Sequence, residues 1–287
     1  MSGRSLAALA AIAVSWLAAA TAGASQLSIG SGSAFSLGSG TLDLGCASLL
    51  VAGSFAVSSG TVNQALDVTI SLGGTLNGDS GILNVTGNWD NSAGGTFAAG
   101  TSSVNLIDGC GRTNATISGD TIFWELSMTT TTEKAIEIAA GSTQTINALL
   151  TISGAADNLL TLRSTSPGSE ATLNIQGAAD ANFVFVTDIH AVPNSLSLGP
   201  NSIVGSNTVD LNLCGDISGN MIIDSADVML AREHLMGKTI AGDITFCNVI
   251  GPFDPLGGGA DCTVADIFVL ARVVEGDSVV SENTCNP

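Results

Sequence analysis

The stretches Ser39-Gly40-Thr41-Leu42, Ser59-Gly60-Thr61-Val62 and Ser80-Gly81-Ile82-Leu83 share one pattern, in which a small residue and a glycine precede two strand-forming residues. The same turn signal recurs further along at Gly100, Gly119 and Gly141, so that successive glycines lie 20, 21, 19, 19 and 22 residues apart. Glycine suits such turns because it adopts positive φ without steric cost. A repeat of this length predicts stacked coils, each burying its apolar face against the next.

Apolar residues alternate with polar ones between these turns. Alternation with a period of two places one set of side chains in a core and the other set in solvent. We therefore predict a mainly β protein with a right-handed parallel β-helix over residues 25–212. An antiparallel sandwich, whose turns recur every 8 to 12 residues or so, is the alternative. The predicted inward-facing segments are Leu83–Val85, Val104–Leu106, Leu160–Leu162, Leu173–Ile175 and Phe183–Phe185.

The composition excludes several classes of protein. The 287 residues contain 7 Lys and Arg against 25 Asp and Glu, for a net charge of -18. Binding to nucleic acid or to anionic membranes requires clustered basic residues, so neither partner is expected. Hydrophobic residues make up 45% of the chain and charged residues 11%, which predicts a folded core instead of disorder.

The N-terminal residues 1–24 have the features of a secretory signal peptide. Arg4 precedes an apolar run from Leu6 to Ala20, and Ala22-Gly23-Ala24 fits the small-residue cleavage rule. A retained membrane anchor is the alternative, although the run is short for one. No later stretch approaches the roughly 18 apolar residues that a spanning helix needs. We expect a secreted or cell-surface protein without membrane insertion.

Six cysteines in an exported chain predict disulfides. Cys247 and Cys262 flank a glycine-rich insertion, and we expect them to bond. Cys46 and Cys110 are left for the solenoid, where the repeat places them three coils, or ~14 Å, apart. A disulfide needs Cα atoms within about 7 Å, so we expect these two not to pair unless a loop folds over the side.

The sequence changes character from Cys214 onward. Oxygen-bearing side chains occupy positions one, three, five, nine and twelve of a loop, and a helix-like run, Val228–Met236, follows it. Calcium prefers six to eight oxygen ligands, and alternate positions of one loop can wrap them around one ion. The predicted ligands are the side chains of Asp216, Ser218, Asn220, Asp224 and Asp227 and the carbonyl of Ile222.

This loop and helix, with no helix before them, resemble half of a dockerin domain, although Met221 stands where that family usually has glycine. A degenerate second copy follows, in which Ala265–Arg272 repeats Ala226–Arg232. The resemblance implies a dockerin-like domain over residues 213–287 that binds one Ca2+ and, if its second loop is occupied, a second. It also implies a Cys214–Cys285 clip. The second loop's predicted ligands are Asn248, Asp261, Thr263 and Asp266, with Asp254 an additional candidate.

The dockerin resemblance further implies a cohesin-like partner. In that family, residues near the last ligand and along the first helix contact cohesin. The corresponding candidates in this chain are Ser225, Ala226, Arg232, Val264, Ala265 and Arg272.

Two segments of the body, Gly87-Asn88-Trp89-Asp90-Asn91 and Leu162–Gly168, resemble repeats of secreted bacterial β-helix and adhesin-like surface proteins. Some β-helices are polysaccharide lyases or hydrolases, so Asp188 and His190, two apart on one strand, are an acid/base candidate. A solvated strand end is the expectation for them. Trp89 and Trp124 are candidates for stacking on sugars, although core packing is the expectation for both. Asp157, Glu170 and Asp180 are the nearest further carboxylates.

These features predict an exported calcium-binding surface or matrix protein with a dockerin-like attachment module and no catalytic residues. Its expected partners are a cohesin-like protein or an extracellular polysaccharide. The alternative is a polysaccharide-degrading hydrolase or lyase, or an accessory carbohydrate-binding protein. Acidic side chains converging in a groove would favour the enzyme, whereas a smooth face of Thr, Ser and Asn would favour adhesion.

Overall fold

The computed structural model describes residues 26–247, 249 and 262–276. Parallel strands wind around one core on three sides, which we name sheets A, B and C. Sheet A contains, in spatial order, β1 (Gln26–Ile29), β4 (Ser48–Val51), β7 (Val68–Ile70), β10 (Trp89–Asp90), β13 (Asn114–Ser118), β15 (Lys134–Ile138), β17 (Leu160–Ser164), β20 (Val184–Thr187) and β23 (Ile203–Val204).

Sheet C runs along the whole solenoid, whereas sheet B is present only in its first four coils. Sheet B contains β2 (Ala34–Ser36), β5 (Ser54–Ala56), β8 (Thr75–Asn77) and β11 (Thr96–Ala98). Sheet C contains β3 (Thr41–Asp43), β6 (Thr61–Ala65), β9 (Ile82–Val85), β12 (Ser103–Leu106), β14 (Thr121–Thr129), β16 (Thr143–Ser153), β18 (Ala171–Ile175), β19 (Ala178–Asn182), β21 (Ile189–Pro193), β22 (Leu196–Leu198) and β24 (Leu211–Leu213).

The strand pairing confirms a parallel solenoid with the predicted repeat, and the antiparallel sandwich is wrong. Thr61 pairs in parallel with Thr41 on one side and with Ile82 on the other, which are spacings of 20 and 21 residues. Alternate residues such as Leu83, Val85 and Val104 are buried in the core. The small corner residues therefore set the coil length, and the alternating residues fill the interior.

One predicted core segment is out of phase. Val184 and Val186 are fully buried, whereas Phe183 and Phe185 are only partly buried. Phe183 has φ of +53°, so the chain turns a corner there before β20 begins. Val184 then pairs with Leu160 in the neighbouring coil, which places the valines inside.

Cys46 and Cys110 pair through the exception that the sequence reading allowed, because a loop folds over the side of the solenoid. They form a disulfide with Cα atoms 5.6 Å apart and a sequence separation of 64. Cys46 lies in the turn between sheets C and A, and Cys110 lies in the longer connection, residues 107–113, at the same corner. This connection, which we name the strap, folds back along the corner, so a Cβ on Gly109 would lie 2.8 Å from Thr86. The coil register is unaffected because the strap lies outside the ladder.

The strap is held at several further points. Arg112 forms an ion pair with Asp67 at 3.5 Å, and Asp108 accepts hydrogen bonds from the hydroxyl (2.7 Å) of Thr130 and the backbone N–H (2.7 Å) of Thr131. The buried ammonium of Lys134 donates to the carbonyl of Thr86 at 3.1 Å and to that of Ile107. Burial lowers the pKa of Lys134, while the nearby carboxylate of Asp108 acts to raise it. The strap is thus a fixed part of the fold.

A helical segment follows the solenoid. It contains α1 (Ser225–Leu235), a 3-10 turn (Ile244–Cys247) and α2 (Val264–Val274). Ile223, just before α1, packs against both the solenoid core and the core of the helical segment. None of the helices in the described ranges is long and apolar enough to cross a membrane.

Candidate functional site

The first loop, residues 216–224, is organised around two buried aspartates. Asp216 is 3% exposed, and its carboxylate accepts the backbone N–H groups of Gly219, Asn220 and Met221 at 2.6 to 3.0 Å. Met221 adopts φ of +65°, the left-handed conformation for which the dockerin family usually has glycine. The loop therefore folds around the carboxylate of its first predicted ligand.

The last predicted ligand of this loop connects it to α1. Asp227 is fully buried, and its carboxylate accepts the N–H of Ser218 at 2.8 Å and the N–H of Asp224 at 2.8 Å. Asp224 is the N-cap of α1 and accepts the N–H of Ala226 at 2.6 Å, so the two aspartates form a capping box. Ser218 also donates its hydroxyl to Asp216 at 3.1 Å.

The second motif repeats this geometry at the start of α2. Asp266 is fully buried and accepts the N–H groups of Val249 and Thr263, each at 2.9 Å. Thr263 is the N-cap of α2, in the position that Asp224 has in the first motif. The duplication that the sequence indicates is therefore a structural one.

Val249 donates to Asp266 as Ser218 donates to Asp227, so Val249 corresponds to Ser218. Cys247, two residues before Val249, therefore corresponds to Asp216. Cys247 forms the predicted disulfide with Cys262, with Cα atoms 5.2 Å apart. The second motif thus has a covalent bond where the first has its leading carboxylate. Cys214 is also disulfide-bonded. The predicted partner Cys285 lies outside the described residues, as do Asn248, Asp254, Asp261 and the predicted signal peptide at residues 1–24.

The donor set of the first loop suits calcium chemically, because it consists entirely of oxygens: carboxylates, the hydroxyl of Ser218, the amide of Asn220 and the carbonyl of Ile222. In the structure, however, the carboxylates engage N–H groups of the loop. Within the part of the chain that the structure describes, no three or more His, Cys, Asp or Glu side chains are grouped to hold a metal ion.

The two helices leave an apolar groove between them. Four apolar residues along this groove are more than half exposed: Met229 on α1, Met236 at the C-terminal end of α1, and Val264 and Phe268 on α2. Three of the six residues that the dockerin resemblance assigns to partner contact line this groove, namely Ser225, Arg232 and Val264. Arg272 instead lies over the ring of Phe268, with 5.9 Å between its guanidinium carbon and the ring centroid.

Asp188 and His190 interact with different partners. Asp188 is only 6% exposed and accepts hydrogen bonds from the N–H of Gly168 and the amide of Asn207, each at 2.9 Å. The expectation of a solvated strand end is therefore wrong for Asp188, because the corner of the coil buries it. The imidazole of His190 lies between two other carboxylates, with Nε2 at 3.3 Å from Asp210 and Nδ1 at 3.9 Å from Glu170.

Trp89 and Trp124 have different environments. Trp89 is 1% exposed and packs in the core against Phe97 and Phe123, with centroids 4.8 and 5.4 Å apart, so core packing is confirmed for it. Trp124 is half-buried and lies on β14 at the irregularity between Phe123 and Glu125. Of these two, Trp124 is therefore the one that retains an accessible surface for stacking.

The outer face of sheet C carries a column of amide and hydroxyl side chains, which we name the polar ladder. Asn84 donates from its amide to Asn63 at 2.8 Å, and Asn105 donates to Asn84 at 2.8 Å. The backbone register continues the column from Asn105 to Ser127 and on to Thr151. The central asparagines of the Leu-Asn-Val and Val-Asn-Leu triplets are the sequence signal of this ladder, although the alternating pattern predicts only the apolar residues on either side of them.

Comparisons of the chain with protein-family models, with curated proteins and with solved structures found no match. The function must therefore be argued from the chain's own residues.

Proposed function

We propose that this chain is a non-catalytic extracellular binding protein, whose polar ladder binds an extended polysaccharide and whose C-terminal segment attaches it to a partner. The polar ladder carries the proposal, because it presents half-buried amide and hydroxyl groups at the rung spacing of about 4.8 Å. That spacing is comparable to the length of one sugar ring in an extended glycan. Trp124 on the same sheet adds a ring for stacking.

The proposal includes export, with residues 1–24 as a signal peptide, and a right-handed winding of the solenoid, which nearly all parallel crossovers share. The disulfides support an oxidising location, since such bonds persist outside the cytosol. The C-terminal residues 213–287 act as a dockerin-like module, and the apolar groove between α1 and α2 is its contact surface for a cohesin-like protein.

We further propose that the first loop binds one Ca2+, with Asp216, Ser218, Asn220, Asp224 and Asp227 as side-chain ligands and Ile222 as carbonyl ligand. The oxygen donor set and the two buried carboxylates support this assignment. In the second loop, the Cys247–Cys262 bond closes the turn in place of an ion.

A glycan array probed with the full chain tests the binding proposal. The double variant Asn84→Ala/Asn105→Ala is expected to lose binding, because both amides belong to the polar ladder. Thr69→Ala, on the outer face of sheet A, is the matched control and should bind as the original chain does. Glycan binding that survives the double substitution would refute the ladder as the site.

A polysaccharide-degrading activity is the second candidate, favoured by the carboxylates of Glu170 and Asp210 on either side of His190. A reducing-sugar assay on the glycans that the array identifies tests it. Product formation that disappears in His190→Asn would support the enzyme, and absence of product from every bound glycan would exclude it for those substrates.

A further inference from the structure

The first coil of the solenoid, residues 26–47, ends in an apolar layer that the described residues do not cover. Leu27, Phe35 and Leu42 pair with Leu49, Phe55 and Val62 of the next coil. The three residues in the second coil are fully buried, whereas Phe35 is 43% exposed and Leu27 and Leu42 are partly exposed. Stacking one more layer on this end would bury it in the same way.

The strand edges at this end are also available for pairing. Among the described strands, β1, β2 and β3 each pair on one side only. In β2, the N–H of Leu37 donates to Ala56 and the carbonyl of Ser33 accepts from Ser54. Because alternate residues of a strand bond to opposite sides, the backbone groups of Ala34 and Ser36 point away from the solenoid.

The other end of the solenoid is closed by the chain itself. Leu211 and Leu213 of the last strand are only 2% and 4% exposed, and Ile223 of the following loop packs against the solenoid core. A second copy therefore cannot continue the solenoid from tail to head. Any pairing between copies must join two N-terminal ends.

We propose that two copies of this chain associate through their first coils, end to end and related by a two-fold axis. A strand edge is complementary to itself, since it carries both N–H and C=O groups, and the two-fold arrangement closes without forming a filament. The first coil supplies 22 residues, within the roughly 20 to 30 residues per partner of a specific interface.

The charge distribution favours a second copy as the occupant. The chain carries a net charge of -18, so two copies repel each other over most of their surfaces and can approach most easily where the charge is lowest. Asp43 is the single charged residue of the first coil. Lysine, proline or inward-pointing charge commonly protects a free strand edge, and residues 26–47 contain none of these.

Analytical ultracentrifugation of the secreted full chain tests the proposal, with its N-terminus determined by mass spectrometry. We expect a mass that doubles with increasing concentration. Phe35→Lys places a charge in the end layer and should give a monomer. Leu72→Lys is the matched control, because Leu72 is 79% exposed in a turn between sheets A and B and not in the end layer; it should still dimerise.

Two further measurements keep the test decisive. Ser36→Pro removes one outward N–H and keeps the bonds from β2 to β5, so it should abolish the dimer even if Phe35→Lys does not fold. Hydrogen exchange at Ala34 and Ser36 should slow as the protein concentration rises. A monomer at all concentrations, whether residues 1–25 are retained or removed, would overturn the proposal. So would a dimer that Phe35→Lys and Ser36→Pro form as readily as the control Leu72→Lys.

Discussion

Removal of the Cys46–Cys110 disulfide gives the sharpest test of the strap. The bond joins residues 64 positions apart, and it restricts the unfolded chain by closing a loop of that size. The chain-entropy relation gives about 4 kcal/mol of stabilisation for such a loop. We therefore expect Cys46→Ala/Cys110→Ala to lower the free energy of unfolding by up to that amount.

Two features make this substitution informative. Both cysteines have positive φ, 69° and 52°, and alanine has the same steric cost there as cysteine. The change in the free energy of unfolding therefore measures the loss of the cross-link and not a change in backbone strain. The contacts of Lys134, Asp108 and Arg112 also remain to hold the strap in the folded state. These contacts do not constrain the unfolded chain, and so they do not replace the bond.

Urea unfolding followed by tryptophan fluorescence measures the effect, because Trp89 is buried inside the cross-linked segment. The control is Cys247→Ala/Cys262→Ala, which opens a loop of 15 residues worth about 3 kcal/mol in the C-terminal segment and should leave the Trp89 transition in place. A loss below about 1 kcal/mol in the first variant, with an unchanged denaturant slope, would refute the loop-closure argument.

Three further experiments, with five substitutions between them, test separate parts of the structure. Burial acts to raise the pKa of Asp108, but hydrogen bonds from Thr131 and Thr130 and the charge of Lys134 outweigh it, so the pKa lies below the ordinary 3.8. Because the folded state favours the ionised carboxylate, Asp108 stabilises the fold above pH 3.8, and this stabilisation is lost as the pH falls through the folded-state pKa. Asp108→Asn should therefore reduce the loss of stability against urea at acid pH. An unchanged acid dependence contradicts the assignment. Asp227→Ala and Asp266→Ala should both lower the melting temperature, but only Asp227→Ala should abolish stabilisation by calcium over chelator, and equal calcium responses would contradict a single ion. Gly74→Ala would place a Cβ 2.1 Å from the carbonyl oxygen of Val51 and should cost roughly 1 to 3 kcal/mol or more, whereas Gly30→Ala, with 3.8 Å to Ser33, should melt like the original chain.

The candidate site was only partly predictable. The spacing of Asp216, Asp224 and Asp227 identified the first loop, because ligand positions in a single loop are local in sequence. The equivalence of Cys247 and Asp216 was hidden by the insertion between Val249 and Thr263. It emerged because these two residues donate to Asp266 in the way that Ser218 and Asp224 donate to Asp227. The polar ladder was equally hidden, since Asn63, Asn84 and Asn105 come together only when the coils stack.

The sequence by itself determined the coil, because each turn and each alternating strand is a local signal that repeats every twenty residues or so. It also indicated a helix after the first loop, although α1 begins at Ser225, before the predicted start at Val228, because Asp224 and Asp227 form a capping box. The tertiary structure alone decided that Cys46 meets Cys110 and that Asp188 is buried against Gly168 and Asn207. Both outcomes depend on how corners and long connections lie across neighbouring coils, and neither the turn signals nor the alternation of apolar residues specifies that arrangement.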